Sequence, residues 1–251
     1  MNDFDLSGHK ALVTGGSGGL GRALAAGLHA AGAEVVVAGS SGRAQAVADA
    51  LGQSGPRVVA VEADLGASAG RQRLFAEAVD ALGEITLLVT AHGIATRQPS
   101  AEVPLEDWER VLELNLTSVF ELCQLAGRPM LARGAGKIIL IASLLSFSGG
   151  YRVPAYAASK GGVAQIAKAL ANEWAGQGVN VNALAPGYFE TPLTEVLRRD
   201  PVRYPRIVDR IPAGRWGQPH ELAGAAVFLA SRAADYIHGV VLPVDGGWMA
   251  R

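Results

Sequence analysis

Short apolar runs alternate along this chain with longer stretches whose hydrophobic residues recur every three to four positions. The first run, Ala11-Leu12-Val13, is followed over 20–31 by the spacing of an amphipathic helix. Six further runs have the length and composition of strands, at 34–38, 57–61, 85–89, 137–142, 179–184 and 240–244. The segments between them, about ten to thirty residues long, leave room for helical crossovers, as parallel strands require. The pattern therefore predicts an α/β fold: a doubly wound parallel sheet of about seven strands with helices on both faces. Gly32 and Gly83 stand just after helical runs and just before strands, where a glycine ends a helix. No repeat, low-complexity linker or shift of composition divides 1–251, so the chain reads as one domain. The stretch from Pro186 to Trp216 is the least regular. Prolines at 186, 192, 201, 205 and 212 exclude one continuous helix there, and about 187–216 is expected to form a substrate loop or lid.

Composition narrows the partners. Lys+Arg 22 against Asp+Glu 23 gives a net charge of -1, so no overall basic field collects nucleic acid or anionic lipid, and an anionic ligand has to be held locally. Cys123 is the single cysteine and cannot form an internal disulfide; its apolar neighbours Phe120, Leu122 and Leu125 fit a buried small hydrophobe. A reducing, cytoplasmic setting is expected, since 1–10 carries Asp3 and Asp5 and no long apolar run, which argues against a secretory signal or a membrane span. No His/Cys/Asp/Glu cluster has ligand spacing, so no metal is expected.

Chemistry concentrates at four places. Thr14-Gly15-Gly16-Ser17-Gly18-Gly19-Leu20-Gly21 follows the first predicted strand and opens the first helix. Glycines there allow a tight turn and let backbone N–H groups meet a pyrophosphate at the positive end of a helix. Gly15, Ser17, Gly18, Gly19, Leu20 and Gly21 are the candidate cofactor residues of this turn. The second strand runs into Gly39-Ser40-Ser41-Gly42-Arg43, with no acidic residue to catch a ribose 2′-OH. Ser40, Ser41 and Arg43 can instead hold a 2′-phosphate, which leans the choice between NAD and NADP towards NADP; Arg43 equally reads as an exposed first-turn residue of the next helix. Tyr156 and Lys160 lie four apart on a predicted helix and so share a face. An ammonium beside a phenol is expected to lower a pKa that starts near ~10 and to make the pair a proton-exchange device. Ser143 ends the strand at 137–142, at the sheet edge where open α/β folds place ligands.

These motifs together resemble the short-chain dehydrogenase/reductase family. The glycine turn matches its TGxxxGxG signature, Ser143 precedes Tyr156 by thirteen residues, Lys160 follows, and the similarity covers nearly the whole chain. The resemblance implies a nicotinamide-dependent oxidoreductase that interconverts a secondary alcohol and a ketone. It implies Asn115, Ser143, Tyr156 and Lys160 as the catalytic set, with Asn115 supporting a water chain from Lys160. It also implies Asp64 and Leu65 at the adenine, Gly93, Tyr156 and Lys160 along the cofactor, and Pro186, Gly187 and Thr191 near the nicotinamide carboxamide. Each has a plainer reading: Asp64 as a helix N-cap, Asn115 as a side chain bonding backbone, Thr191 as the start of a helix before Pro192. The family's usual assembly, with helical runs around 105–131 and 155–175 and the apolar end 240–249 as candidate faces, implies a homotetramer.

The chain departs from the family pattern after the fourth strand, where Thr90-Ala91-His92-Gly93 replaces Asn-Asn-Ala-Gly. A missing asparagine puts the local bracing in question. His92 reads as a hydrogen-bonded structural histidine, the acid/base role being filled already, with titration near pH 7 as the other reading. Segments of the second half resemble bacterial sugar-acid dehydrogenases of the same family, implying a small-molecule substrate with a carboxylate. Arg97 and Arg152 are the candidates to grip it, beside Ser143, Tyr156 and Tyr188; each arginine equally reads as a surface or subunit contact. Val153-Pro154 is expected to hold Arg152 in an extended approach to the helix. Two alternatives stay open: a 3-oxoacyl-carrier-protein reductase with a basic rim from Arg198, Arg199, Arg203 and Arg206, and a non-catalytic dinucleotide sensor. The joint presence of Ser143, Tyr156 and Lys160 argues against the sensor.

Overall fold

The structure, a computed structural model, describes residues 3–40 and 42–251; Ser41, a candidate for the 2′-phosphate, lies outside the described residues. Strand β1 (Lys10–Thr14) leads through helix α1 (Gly19–Ala30) to β2 (Glu34–Gly39), then through α2 (Arg43–Leu51) to β3 (Val58–Glu62). Helix α3 (Ser68–Leu82) returns the chain to β4 (Leu87–Thr90). The run predicted around 105–131 is one rod in three parts: α4 (Leu105–Leu112), a π-helical turn (Glu113–Thr117) and α5 (Ser118–Arg133). There follow β5 (Gly136–Ile141), α6 (Pro154–Trp174), β6 (Val179–Pro186), α7 (Glu195–Arg198), α8 (Arg203–Arg210), α9 (Ala223–Ala230) and β7 (Val241–Val244).

All seven strands pair in parallel in the order β3-β2-β1-β4-β5-β6-β7. The two-residue period of a strand distributes the apolar runs to two cores. Leu12, Val36, Leu88, Ile138 and Leu140 pack with Leu74, Leu122 and Val163 on one face. Val13, Val35, Val37, Val89 and Ile139 pack with Leu24, Leu28 and Leu229 on the other. Because both faces are covered, the strands read as continuous hydrophobic runs rather than alternating ones. Cys123 lies inside the first core, where burial pushes its thiol up to about 12, so it behaves as the inert hydrophobe expected.

Strand order reverses between β1 and β4, which opens a crevice at their carboxyl ends. Above it, the proline-rich stretch is broken into short pieces. It is anchored by a third cluster in which Leu197, Ile207, Ile211 and Trp216 of the lid meet Leu144 and Trp248. A bridge between Phe189 and Gly217 closes the base of this lid. Among the described residues no helix is long and apolar enough to cross a membrane.

Helices α5 and α6 approach at Gly127, where an added Cβ would lie 2.6 Å from the Trp174 ring. Trp174 is buried and the neighbouring core is filled, so a methyl there forces side chains off their rotamers. Gly127→Ala is expected to lower the unfolding free energy by about 1–3 kcal/mol, read by chemical denaturation. An unchanged midpoint and slope would contradict this packing.

Candidate active site

Loops leaving the carboxyl ends of β1, β4, β5 and β6 bound a cavity of about 430 Å³. Its floor depends on missing side chains. Gly15 has φ +66°, and a Cβ on it would sit 2.8 Å from the Ala91 carbonyl oxygen. A Cβ on Gly21 would lie 2.2 Å from the Gly15 carbonyl oxygen, so Gly21 makes the turn possible without lining the cavity. Ser17, Gly18, Gly19 and Leu20 do line it, and Gly18 is the N-cap of α1, whose first turn carries no acidic residue. A long cleft with a glycine floor and an open helix N-terminus fits a dinucleotide pyrophosphate.

Ser40 and Arg43 line the end of the cleft beside β2. Arg43 is also the first residue of α2, the exposed first-turn position of its plainer reading. Asp64 and Leu65 line the same end, but the N-cap of α3 is Ala67, which corrects the capping role considered for Asp64. The Asp64 carboxylate instead accepts the Gly66 N–H at 2.8 Å, closing the turn after β3. Gly93, Pro186, Gly187 and Thr191 line the opposite end. Thr191 is at once the N-cap of a short 3₁₀ turn, Pro192–Thr194, as its plainer reading required.

Tyr156 and Lys160 stand one turn apart on α6, both lining this cavity. The phenol hydrogen-bonds the Ser143 side chain. Ser143 sits at the end of β5, extended, and caps the turn Leu144–Ser146; Ser146 Oγ in turn donates to the Lys160 carbonyl at 2.6 Å. Lys160 Nζ donates to the Ile141 carbonyl at 2.6 Å and lies 5.8 Å from the centre of the Tyr156 ring. Burial lowers the Lys160 pKa to about 8. The Tyr156 phenol is raised, not lowered as the lysine pairing led one to expect. Loss of hydration outweighs both the Ser143 hydrogen bond and the charge of Arg97, while the ammonium is spent on a carbonyl.

Asn115 occupies the π turn and is fully buried. Its Oδ1 accepts the Ile94 N–H at 2.9 Å and its Nδ2 donates to the Ile94 carbonyl at 2.8 Å, so it clamps the chain leaving β4. A Cβ on Gly93 would lie 3.1 Å from Asn115 Oδ1 and 3.8 Å from Lys160 Nζ, which marks Gly93 as the point where the two side chains converge. The π turn itself is held by Arg71, a buried cation on α3 that donates to Glu113, Glu121 and the Leu65 carbonyl.

His92 supplies the bracing that the missing asparagine left in question. Ser118 Oγ donates its hydrogen to the Leu114 carbonyl at 2.6 Å, so it accepts from His92 Nε2 at 2.7 Å. Nδ1 is then the acceptor for the Thr14 hydroxyl at 2.6 Å. Burial, reinforced by the Lys160 charge, drives the imidazole down to about 3. His92 is a neutral tie between β1 and α5, not a group that titrates near neutrality.

A second cavity of about 310 Å³ adjoins the first and shares Ser143, Tyr156, Pro186 and Gly187 with it. Tyr188 lines it, held between Trp216 and Trp248 at 5.1 and 4.9 Å between ring centres. Arg97 also lines it, half-buried, and donates to the Leu193 carbonyl at 3.2 Å. Arg152 does not. It is exposed, its guanidinium 5.4 Å from the Tyr151 ring centre, and its φ of 62° turns the chain instead of extending it. The proline constraint acts on Val153, the residue before Pro154, and leaves Arg152 to the turn. Of the basic rim considered for the lid, Arg198 pairs with Glu190 at 2.8 Å and Arg199 with Glu195. Arg203, considered only for that rim, and Arg210, which sequence reasoning missed, enter the cavity lining. The signal available was their spacing of seven, two helical turns, at the two ends of α8.

A family model described as Enoyl-(Acyl carrier protein) reductase matches residues 15–249. The chain is 45% identical over 252 residues to a 2-dehydro-3-deoxy-D-gluconate 5-dehydrogenase of Dickeya dadantii, covering 100% of this chain and 99% of that protein. It is 46% identical over 248 residues to the protein of the same description in Bacillus subtilis, covering 99% and 97%. It also superposes on a gluconate 5-dehydrogenase from Burkholderia cenocepacia, solved in complex with NADP and tartrate. There the TM-score is 0.96 and the identity 39%, over 100% of this chain and 98% of that one.

The His92 tie has a pH signature. Its folded pKa lies below the unfolded value, so the unfolded chain binds the proton first; the stability from neutral His92 is complete above pH about 6.5 and is lost as pH falls towards 3. His92→Gln is expected to lower stability at pH 7 and to flatten its loss between pH 7 and about 4.5, measured by denaturant unfolding. Parallel acid limbs in the two proteins would contradict the assignment.

Proposed function

The chain belongs to the short-chain dehydrogenase/reductase family, and on that premise we propose that it is an NAD(P)-dependent oxidoreductase acting on a small keto sugar acid such as 2-dehydro-3-deoxy-D-gluconate. One observation carries the reading: the Tyr156 phenol, bonded to Ser143, stands on the wall shared by a dinucleotide-shaped cleft and an arginine-lined pocket. A hydride acceptor and a proton donor can meet at that wall.

A nicotinamide dinucleotide, once bound, supplies or accepts the hydride. Ser17 to Leu20 would hold its pyrophosphate, Asp64 and Leu65 its adenine end, and Gly93, Pro186, Gly187 and Thr191 its nicotinamide end. Ser40 and Arg43, with no acidic residue between Gly39 and Arg43, favour a 2′-phosphate and hence NADP, the ligand named for the Burkholderia relative. In reduction, Ser143 Oγ and the Tyr156 hydroxyl orient the substrate carbonyl oxygen, and Tyr156 gives its proton to that oxygen. Because burial raises the phenol, the donor stays protonated at neutral pH; oxidation of the alcohol runs the proton the other way and gains from rising pH. Lys160, close to Asn115 at Gly93, returns the proton to the phenolate and steadies its charge.

The whole chain, 1–251, is read as one dinucleotide-binding and catalytic unit that works as a cytoplasmic homotetramer. Exposed Leu105 and Phe120 on the α4 and α5 rod support an assembly face there.

Tyr156→Phe is expected to lower turnover by at least about 100-fold while dinucleotide affinity holds, since bulk is kept and the proton donor is lost. More than a tenth of wild-type turnover in a chemistry-limited step would contradict the role. Among keto sugar acids, neutral ketoses and 3-oxoacyl thioesters offered with NADPH, the highest kcat/KM is expected for a keto sugar acid. Preference for a thioester would overturn the substrate class.

A further inference from the structure

The pocket beside Tyr156 is lined by Arg97, Arg203 and Arg210, and by no Asp or Glu among the described residues. The carboxylates closest by in the lid are engaged elsewhere. Glu190 and Glu195 hold Arg198 and Arg199, and the half-buried Asp200 accepts the backbone N–H groups of Val202 and Arg203 at 2.9 Å each. Arg210 is seated on the Trp248 ring at 4.1 Å. Arg203 stands 5.8 Å from the centre of the Tyr151 ring at the mouth of the pocket, and its charge also acts on Asp200, outside the pocket wall.

Arg97 and Arg203 reach this pocket from different parts of the chain. Arg97 comes from the segment after β4, and Arg203 from α8 of the lid. They are close enough to repel: after burial, the charge of Arg203 is the next cause that lowers the Arg97 pKa. Two half-desolvated like charges facing one cavity, with no acid in its wall, are relieved by an anion placed between them. The cofactor phosphates are not that anion, because the glycine turn and the helix N-terminus line the other cavity and neither Arg97 nor Arg203 does.

We propose that Arg203 is a specificity-determining residue that, with Arg97, grips the substrate carboxylate, so that acid substrates are bound between the body and the lid. This rests on the sugar-acid reading above, and replaces Arg152 as the second guanidinium. A neutral ketone of the same length gains nothing from the pair, so the arginines set the preference for acids over neutral sugars.

The test separates the two claims by using an equilibrium probe. Binding of D-gluconate and of the neutral polyol D-glucitol to the NADP-loaded protein is followed by the fluorescence of Trp216 and Trp248, which flank the pocket through Tyr188. Arg203→Met is expected to weaken gluconate by about tenfold or more, with glucitol and NADP affinities unchanged. Arg203→Lys should recover part of the loss, and Arg199→Met, altering a lid arginine outside the pocket, should match wild type. If the methionine variant also loses NADP binding, and so fails as a folded control, the lysine variant decides: weakened gluconate with intact NADP binding supports the grip. Equal losses for gluconate and glucitol, or undiminished gluconate binding in Arg203→Met, would overturn it, as would wild-type protein that binds the two probes equally. Wild-type protein that prefers gluconate, loses that preference in Arg203→Met and yet reduces no keto sugar acid would support the grip and sink the functional reading alone.

Discussion

Everything chemical in this protein hangs on the junction of β1 with β4. The parallel register that sets Val13 beside Val89 and Thr14 beside Thr90 brings the glycine turn against the Ala91 carbonyl, close enough that only a glycine fits at position 15. Because the strands to either side run the same way, every carboxyl end falls on one edge of the sheet. The turn after β1, the Ala91–Gly93 exit, Ser143 and Pro186-Gly187 are neighbours for that reason alone. His92 pins the junction from behind, between Thr14 and Ser118, and so also fixes the start of α5 below the π turn that carries Asn115.

Around that junction, burial sets the protonation states. Lys160 and Tyr156 lose their water, which drags the amine down and the phenol up, so two pKa values that are ordinarily close are driven apart, the phenol above the amine. The ammonium is then the stronger acid of the two, so a phenolate left by proton donation is reprotonated downhill, and Ser143 and Arg97 keep the phenol from rising further. His92, buried as well and facing the Lys160 charge, is driven out of the titrating range altogether and is left with a purely mechanical part.

Much of the fold was legible because its signals are local. Apolar runs bounded by glycines located all seven strands to within two residues at each end, and the Tyr156 to Lys160 spacing needed only the helical period. Ser143 followed from the end of β5. The parts that were not legible depend on contacts distant in sequence. The π turn at Glu113–Thr117 is held by Arg71 on α3, about forty residues earlier, and no local pattern announces it. Arg152 looked closer to the site than Arg203 because it is nearer to Tyr156 in sequence. A turn with φ of 62° carries Arg152 outward, while folding of the proline-broken lid onto Trp216 and Trp248 carries Arg203 inward. Asp64 read as a helix cap, yet the N-cap of α3 lies three residues beyond it, at Ala67, and leaves its carboxylate to the turn at Gly66.

The central claim is that burial at the shared wall keeps Tyr156 protonated at neutral pH, poised as a proton donor. Direct titration of that phenol tests it, by NMR of protein labelled at tyrosine Cζ, with Tyr156→Phe identifying the resonance. The account predicts a midpoint above that of an ordinary exposed tyrosine in the cofactor-free protein. A midpoint below the ordinary value would mean that charge, not burial, governs the site, and would contradict the account.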